Sequence, residues 1–219
     1  CWVVTGIADV VAVTSYAQFW FPGLSQWVAS LIFVLVLFSL NLATVKMFGE
    51  TEFWFAMIKI VAIVGLIITG LVMVVLHYHT PGGSVASVSN LWNNGGFFPK
   101  GISGFFAGFQ IAIFAFVGIE LVGTTAAETK DPKKSLPRAI NAIPVRIIMF
   151  YVFALVSIMC VTPWGEVAAD KSPFVELFVL AGLPAAASII NFVVLTSAAS
   201  SANSGIFSTS RMLFGLGQE

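Results

Sequence analysis

Residues 53–76 read FWFAMIKIVAIVGLIITGLVMVVL, an unbroken apolar run with one charge, Lys59, and no proline. About 20 predominantly apolar residues in a helix cross the hydrocarbon core of a bilayer. The run is continuous, so it does not match the alternating pattern of a barrel strand. Working outward, comparable segments lie at roughly 1–20, 26–44, 103–127, 141–162 and 180–204. Breakers separate them: Phe21-Pro22-Gly23, Pro81-Gly82-Gly83, Asn93-Asn94-Gly95-Gly96 and Pro163. The expected fold class is therefore an all-α polytopic membrane protein with about six spans, residues 1–219 forming part of one transmembrane domain.

Composition agrees. Of 219 residues, 58% are hydrophobic and 9% charged, whereas a soluble domain carries about 25% charged residues. Twenty-one phenylalanines against three tyrosines suit lipid-facing and packed helix surfaces. A net charge of zero argues against nucleic acid as a partner. Cys1 and Cys160 lie in apolar runs without ligand spacing, and His77 and His79 fall in a polar loop, so neither a metal nor a cofactor is expected. The chain begins inside one apolar run and stops just past another, which reads as a fragment of a longer protein.

Basic residues orient the spans. The loop 128–146 holds Lys130, Lys133, Lys134, Arg138 and Arg146, half of the chain's ten basic residues, and is expected in the cytoplasm. Alternation then places 45–52 inside and 21–25, 77–100 and 163–175 outside. Lys46 and Arg211 obey the rule, while Lys100 and Lys171 oppose it. Trp20, Trp27, Trp54, Trp92 and Trp164 lie near span ends, as in an interfacial belt.

Three ionisable residues interrupt the runs: Asp9, Lys59 and Glu120. Each costs about 2.5–3.5 kcal/mol at a bilayer centre, so such groups face a bundle interior or a water-filled path. With a rise of 1.5 Å per residue, Asp9 lies about 16 Å from the outer end of its span, Lys59 about 9 Å from the inner end, and Glu120 about 24 Å from the outer end. The alternative is that they pair as helix glue, or that Lys59 snorkels to the headgroups. Around Glu120, Phe114-Ala115-Phe116-Val117-Gly118-Ile119-Glu120 sets a glycine beside an acid in mid-span. A helix unwound there leaves backbone groups free to line a cavity or meet a ligand; a continuous helix would instead use Gly104, Gly108 and Gly118 for close packing. Ser197, Ser201, Ser204 and Ser208 form a hydroxyl stripe on the last span, suited to close packing or to cation or proton handling.

The stretch 114–140, FAFVGIELVGTTAAETKDPKKSLPRAI, carries the pattern E-x-x-D-P-x-K-x-L-P-x-A-I in Glu128, Asp131, Pro132, Lys134, Leu136, Pro137, Ala139 and Ile140. With EFWFAMIKIVAI at 52–63 and SSANSGIFSTSRMLFG at 200–215, the whole chain resembles the amino acid permeases of the amino acid–polyamine–organocation superfamily, in the bacterial amino acid transporter branch. The resemblance implies an inverted five-plus-five helix repeat of the sodium-coupled leucine transporter type. The six spans would be helices three to eight of twelve, and the first helix, with half of the substrate site, would lie outside this chain. It also implies a proton-coupled importer of small neutral amino acids (the D-alanine, D-serine and glycine type) in a bacterial inner membrane, with amino acid, protons and the lipid bilayer as partners.

By the same resemblance, Phe116, Val117, Gly118 and Ile119 offer backbone carbonyls to the substrate ammonium group. Glu120 stands at the inner gate, and Asp9 on the third helix is the remaining acidic candidate for substrate. Lys59 lies near Ser201 and Ser204, where sodium-coupled relatives hold a cation, which suggests proton coupling in place of sodium. A zwitterion needs separated donors and acceptors, which broken-helix carbonyls and carboxylates supply. A lysine at depth is a proton carrier without a cofactor, because desolvation disfavours its charged form. An intramembrane enzyme is disfavoured, since no HExxH, GxSxG or paired nucleophile and base is present. A sensor or channel on a transporter scaffold would bind the same ligand. The orientation is testable in the full-length protein: in a Cys-free background, a cysteine at Ser135 is expected to react with an impermeant thiol reagent only in inside-out vesicles. One at Gly83 is expected to react in intact spheroplasts, and reversed labelling would overturn the topology.

Overall fold

The computed structural model of the chain describes residues 2–41, 45–116, 118–119, 131–167 and 171–217. Their regular structure is helical: α1 (Trp2–Ala17), α2 (Gln26–Asn41), α3 (Val45–Val75), α4 (Gly101–Ala115), α5 (Pro132–Ile147), α6 (Phe153–Val161), α7 (Pro173–Leu180) and α8 (Pro184–Leu216). A π-helical turn, Ile148–Val152, joins α5 to α6. Among the described residues, the β pairing is an isolated bridge between His79 and Val85. Among the described residues, three helical stretches are long and apolar enough to cross a membrane: Glu52–Val75, Lys133–Val161 and Pro184–Ser210. Shorter apolar helices run over Val3–Ala17, Gln26–Ser39 and Gly101–Ile113. Large apolar side chains such as Ile111 (79% exposed) and Val61 (67%) point outward, which water would penalise and lipid does not. This is an integral membrane protein.

Helix ends differ from the sequence expectation in an instructive way. The third helix starts at Val45 and not near residue 53. The fifth starts at Pro132, where a polar loop was expected. Helical hydrogen bonding does not stop where hydrophobicity stops, and Pro132 in the first turn suits a helix start because its missing N–H would have had no partner there. The last helix begins at Pro184, after the separate short helix α7. The fourth ends at Ala115, while residues 120–127 of the expected span lie outside the described residues.

The chain forms two compact units, Cys1–Ile63 with Pro184–Glu219, and Val64–Leu183. In the first, α1 lies along α8. Small and polar residues let the helices approach, with Thr14, Ala187, Asn191 and Ala202 all nearly inaccessible. Trp20 Nε1 donates to Ser188 Oγ at 2.8 Å, and Asn191 Nδ2 donates to the Tyr16 carbonyl at 2.9 Å. These bonds tie the C-terminal end of α1 to the first turns of α8. Helix α2 returns after the turn at Phe21-Pro22-Gly23, where the Gln18 amide donates to the Leu24 carbonyl at 3.3 Å.

In the second unit, the loop 77–100 is fastened over the end of α6. The Cys160 carbonyl, left without a helical donor, accepts from the Ser87 N–H at 2.9 Å and from Asn90 Nδ2 at 2.8 Å. Trp164 Nε1 donates to the Asn94 carbonyl at 2.7 Å, and the Ser84 hydroxyl meets the Glu166 carboxylate at 2.8 Å. Gly83 has φ +89°, which strains any side chain there. The labelling cysteine for this loop therefore belongs at Gly82, where a Cβ meets only Thr80 Oγ1 at 3.9 Å. His77 and His79 belong to this loop, and no group of three metal-ligating side chains occurs among the described residues.

Helices α3 and α6 meet at Gly70, where an added Cβ would sit 2.8 Å from Ser157 Cβ and 3.4 Å from its backbone. Neither atom is a free side-chain end that can swing away. Gly70→Ala is expected to destabilise the full-length protein in detergent by about 1–3 kcal/mol, the usual cost of overpacking. Gly65→Ala, with nothing within 4 Å, serves as control. Equal thermal midpoints for the two variants would show that the helices are not in close contact at Gly70.

Candidate functional site

Glu52 and Lys59 lie seven residues apart on α3, so both side chains leave the same face, about 10 Å apart along the axis. Between them stands Ser200 of α8. The Lys59 ammonium donates to Ser200 Oγ at 2.9 Å, and Ser200 Oγ donates to Glu52 Oε2 at 2.5 Å. A hydroxyl has one proton to give and lone pairs to receive, so Ser200 satisfies a cation and an anion at once. The other carboxylate oxygen, Glu52 Oε1, accepts from Asn203 Nδ2 at 3.3 Å. A carboxylate accepts only, which turns the Asn203 amide oxygen the other way, where it accepts from Asn41 Nδ2 at 2.7 Å. Asn41 ends α2 and also donates to the Leu37 carbonyl at 2.9 Å. Ser200 is 2% exposed and Asn203 3%. A connected polar chain, Asn41–Asn203–Glu52–Ser200–Lys59, thus joins α2, α8 and α3 in the first unit.

Asp9 approaches from α1. Its carboxyl group faces the Ser201 hydroxyl and the Lys59 charge. Its Oδ2 is buried and takes no hydrogen bond among the described residues. Lys59 therefore interacts with two acids, Glu52 on its own helix and Asp9 across the seam. Of the serines read from sequence, Ser201 is exposed and Ser204 partly buried. The hydroxyl on Lys59 is that of Ser200, one residue before Ser201.

Sequence reasoning missed Glu52, Ser200, Asn203 and Asn41. Hydropathy alone puts Glu52 in an inner loop, because the apolar run begins at residue 53. The spacing of Glu52 to Lys59, two helical turns, was the available signal. The choice of Ser200 within the serine-rich run depends on the rotation of α8, which composition does not encode.

The second candidate region belongs to the other unit. Helix α4 stops at Ala115, Phe116 and Gly118-Ile119 are in turns, and Gly118 has φ +108°, where glycine is favoured. The helix thus ends just before Gly118, and the rest of the expected span lies outside the described residues. Tyr151, on the π-helical turn, donates its hydroxyl to the Ala115 carbonyl at 3.2 Å, and its ring lies 5.7 Å from that of Phe116. Sequence reading did not single out Tyr151. Val117 and Glu120 lie outside the described residues.

A groove of about 600 Å³ opens elsewhere in the first unit, lined by Val3, Ile7, Val34, Ile206 and Leu213 among others. Among the described residues, no charged side chain lines it.

The amino acid permease family model matches residues 1–219. The chain belongs to the amino acid permease family. Family membership sets aside the intramembrane-enzyme reading. Over 219 residues the chain is 79% identical to the D-serine/D-alanine/glycine transporter of Escherichia coli strain K12, covering all of this chain and 47% of that protein. It is 53% identical to the amino-acid permease AapA of Bacillus subtilis, again over all of this chain and 47% of the relative. It is 50% identical to the DL-alanine permease SerP2 of Lactococcus lactis, over 99% of this chain and 47% of that protein. The chain thus spans about half the length of the curated relatives it matches. No solved structure matches it.

In this permease chain, Asn203 joins three helices by two bonds. Asn203→Ala removes a donor from Glu52 and an acceptor from Asn41 at a nearly inaccessible position. Leaving a buried polar group unsatisfied costs about 1–3 kcal/mol. Asn203→Ala is expected to lower the thermal midpoint of the full-length protein in detergent, while Ser210→Ala, at an exposed serine bonded within its own helix, leaves it unchanged. Parent-like stability of Asn203→Ala would show that the bridge contributes nothing.

Proposed function

We propose that the full-length protein is a proton-coupled secondary transporter that imports small neutral amino acids of the D-alanine, D-serine and glycine type. It works by alternating access in a bacterial inner membrane, on an inverted five-plus-five repeat of which this chain supplies six spans. Family membership and the printed names of the relatives support amino acid transport as the task. The single observation that carries proton coupling is a lysine held in the helix seam by a hydroxyl and two acids. A proton that passes from the ammonium to one of these acids leaves the net charge of the group unchanged.

The substrate is a zwitterion. Its ammonium group is taken by backbone carbonyls of the stretch Phe116 to Ile119, just beyond the end of α4, with the carboxylate of Glu120; Asp9 is a further acidic candidate for substrate. Its carboxylate is received by a helix outside this chain. Lys59, with the hydroxyls of Ser201 and Ser204 on the neighbouring helix, supplies the coupling group. Broken-helix backbone is stable at membrane depth only where it lines a cavity or meets ligand, which suits a site that must open to either side.

Arginine and glutamine separate coupling from packing at Lys59. Arginine keeps its proton at any accessible pH, whereas a snorkelling lysine tolerates arginine. Both Lys59→Arg and Lys59→Gln are expected to lose accumulation of labelled D-alanine in proteoliposomes driven by a pH gradient without sodium. Lys59→Gln retains downhill exchange of preloaded substrate. Parent-like accumulation by Lys59→Arg would remove the coupling role.

A further inference from the structure

We infer that Glu52 is the inner terminus of a proton relay that leaves Lys59 through the Ser200 hydroxyl. This inference rests on the proton-coupled reading above and extends it to residues that reading does not use. The geometry is directional. Lys59 donates to Ser200, and Ser200 donates to Glu52, in one unbroken line of hydrogen bonds. Glu52 lies two turns nearer than Lys59 to the N-terminal end of α3, the end that the basic-residue pattern places in the cytoplasm.

The step balances. One N–H bond of the Lys59 ammonium breaks as its proton passes to Ser200 Oγ. The O–H bond of Ser200 breaks as its own proton passes to Glu52 Oε2. The products are a neutral amine, an intact serine hydroxyl and a neutral carboxylic acid. The pair begins as cation and anion and ends with both members neutral, so no net charge is created in the seam. No oxidant or co-reactant is needed. Deprotonation of Glu52 to the cytoplasmic side then completes release.

The groups around the relay have separate roles. Asp9 faces Lys59 from α1, but its hydroxyl neighbour is Ser201, not Ser200. Asn203 of α8 holds the far carboxylate oxygen of Glu52 and is itself held by Asn41 of α2. Three helices thus aim the Glu52 carboxylate at Ser200. Glu52 fits a proton acceptor better than a simple counterion, because a counterion would gain more by pairing with Lys59 directly than through a hydroxyl.

The test uses the full-length protein in proteoliposomes at equal reconstituted amounts, with labelled D-alanine. Two rates are read for each variant: uptake driven by an imposed pH gradient, and substrate exchange without a gradient. Removing a positioned proton-transfer group costs typically about a hundredfold or more, and a loss of that order in gradient-driven uptake is expected for Ser200→Ala and Glu52→Gln. Exchange remains near the parent level in both. Ser200→Thr, which keeps the hydroxyl, restores gradient-driven uptake. If the parent itself ignores the pH gradient, the proton-coupled reading fails and the relay fails with it. If the parent responds and Ser200→Ala responds equally, coupling stands and the relay is overturned. Equal losses of uptake and exchange in Ser200→Ala overturn it too, since they mark a packing role. Loss of coupling in Asp9→Asn with retention in Glu52→Gln would make Asp9 the acceptor and overturn the assignment to Glu52.

Discussion

Hydrocarbon offers no hydrogen-bond partner, so each polar side chain placed within a span must be met by a neighbouring helix. That constraint governs the first unit. Glu52, Lys59, Asn41, Asn203 and Ser200 form one continuous set of donors and acceptors from three helices, and Ser200 works only because a hydroxyl both gives and receives. The chemistry of the residues constrains the geometry: an acceptor-only carboxylate turns the Asn203 amide, and a donor-only ammonium makes Ser200 Oγ an acceptor. Replacing the hydroxyl with an apolar group would leave two opposite charges facing a gap.

Helix α8 is the element on which this depends. Small residues give α1 its close approach, and buried Asn191, Thr196, Ser200 and Asn203 give α8 polar groups at successive levels. Lipid does not drive helices together as water does, so packing and interhelical hydrogen bonds carry the association. Its N-terminal part is tied by Asn191 to Tyr16 and by Ser188 to Trp20, its middle by the polar chain.

The second unit handles the same constraint at points where the helix itself gives way. Beyond Ala115 the backbone turns at Gly118, and the Ala115 carbonyl finds the Tyr151 hydroxyl. Tyr151 stands on a π-helical turn, where the Phe153 N–H reaches back to the Ile148 carbonyl. Pro144, in the turn before it, has no N–H to offer, and such departures from α-helical bonding cluster where a helix must redirect side chains. At the loop 77–100, Ser87 and Asn90 cap the Cys160 carbonyl, so the end of α6 is satisfied by chain and does not depend on water.

Much was legible in the sequence alone. The continuous apolar runs determined a helical membrane protein, because spanning length and backbone satisfaction leave few other solutions. The pattern from Glu128 to Ile140 determined the family. Asp9 and Lys59 announced themselves as charges in apolar surroundings, and Gly118 beside Glu120 marked the place where α4 ends. The tertiary structure alone decided which hydroxyl meets Lys59, and it decided that Glu52 lies on α3 against that same hydroxyl and not in a loop. The reason is geometric. Hydropathy reads where a side chain lies along the membrane normal, but one serine differs from the next by about 100° of rotation, since an α-helix has 3.6 residues per turn. Only the packing of α8 against α1 and α3 turns Ser200, and not Ser201, toward the lysine.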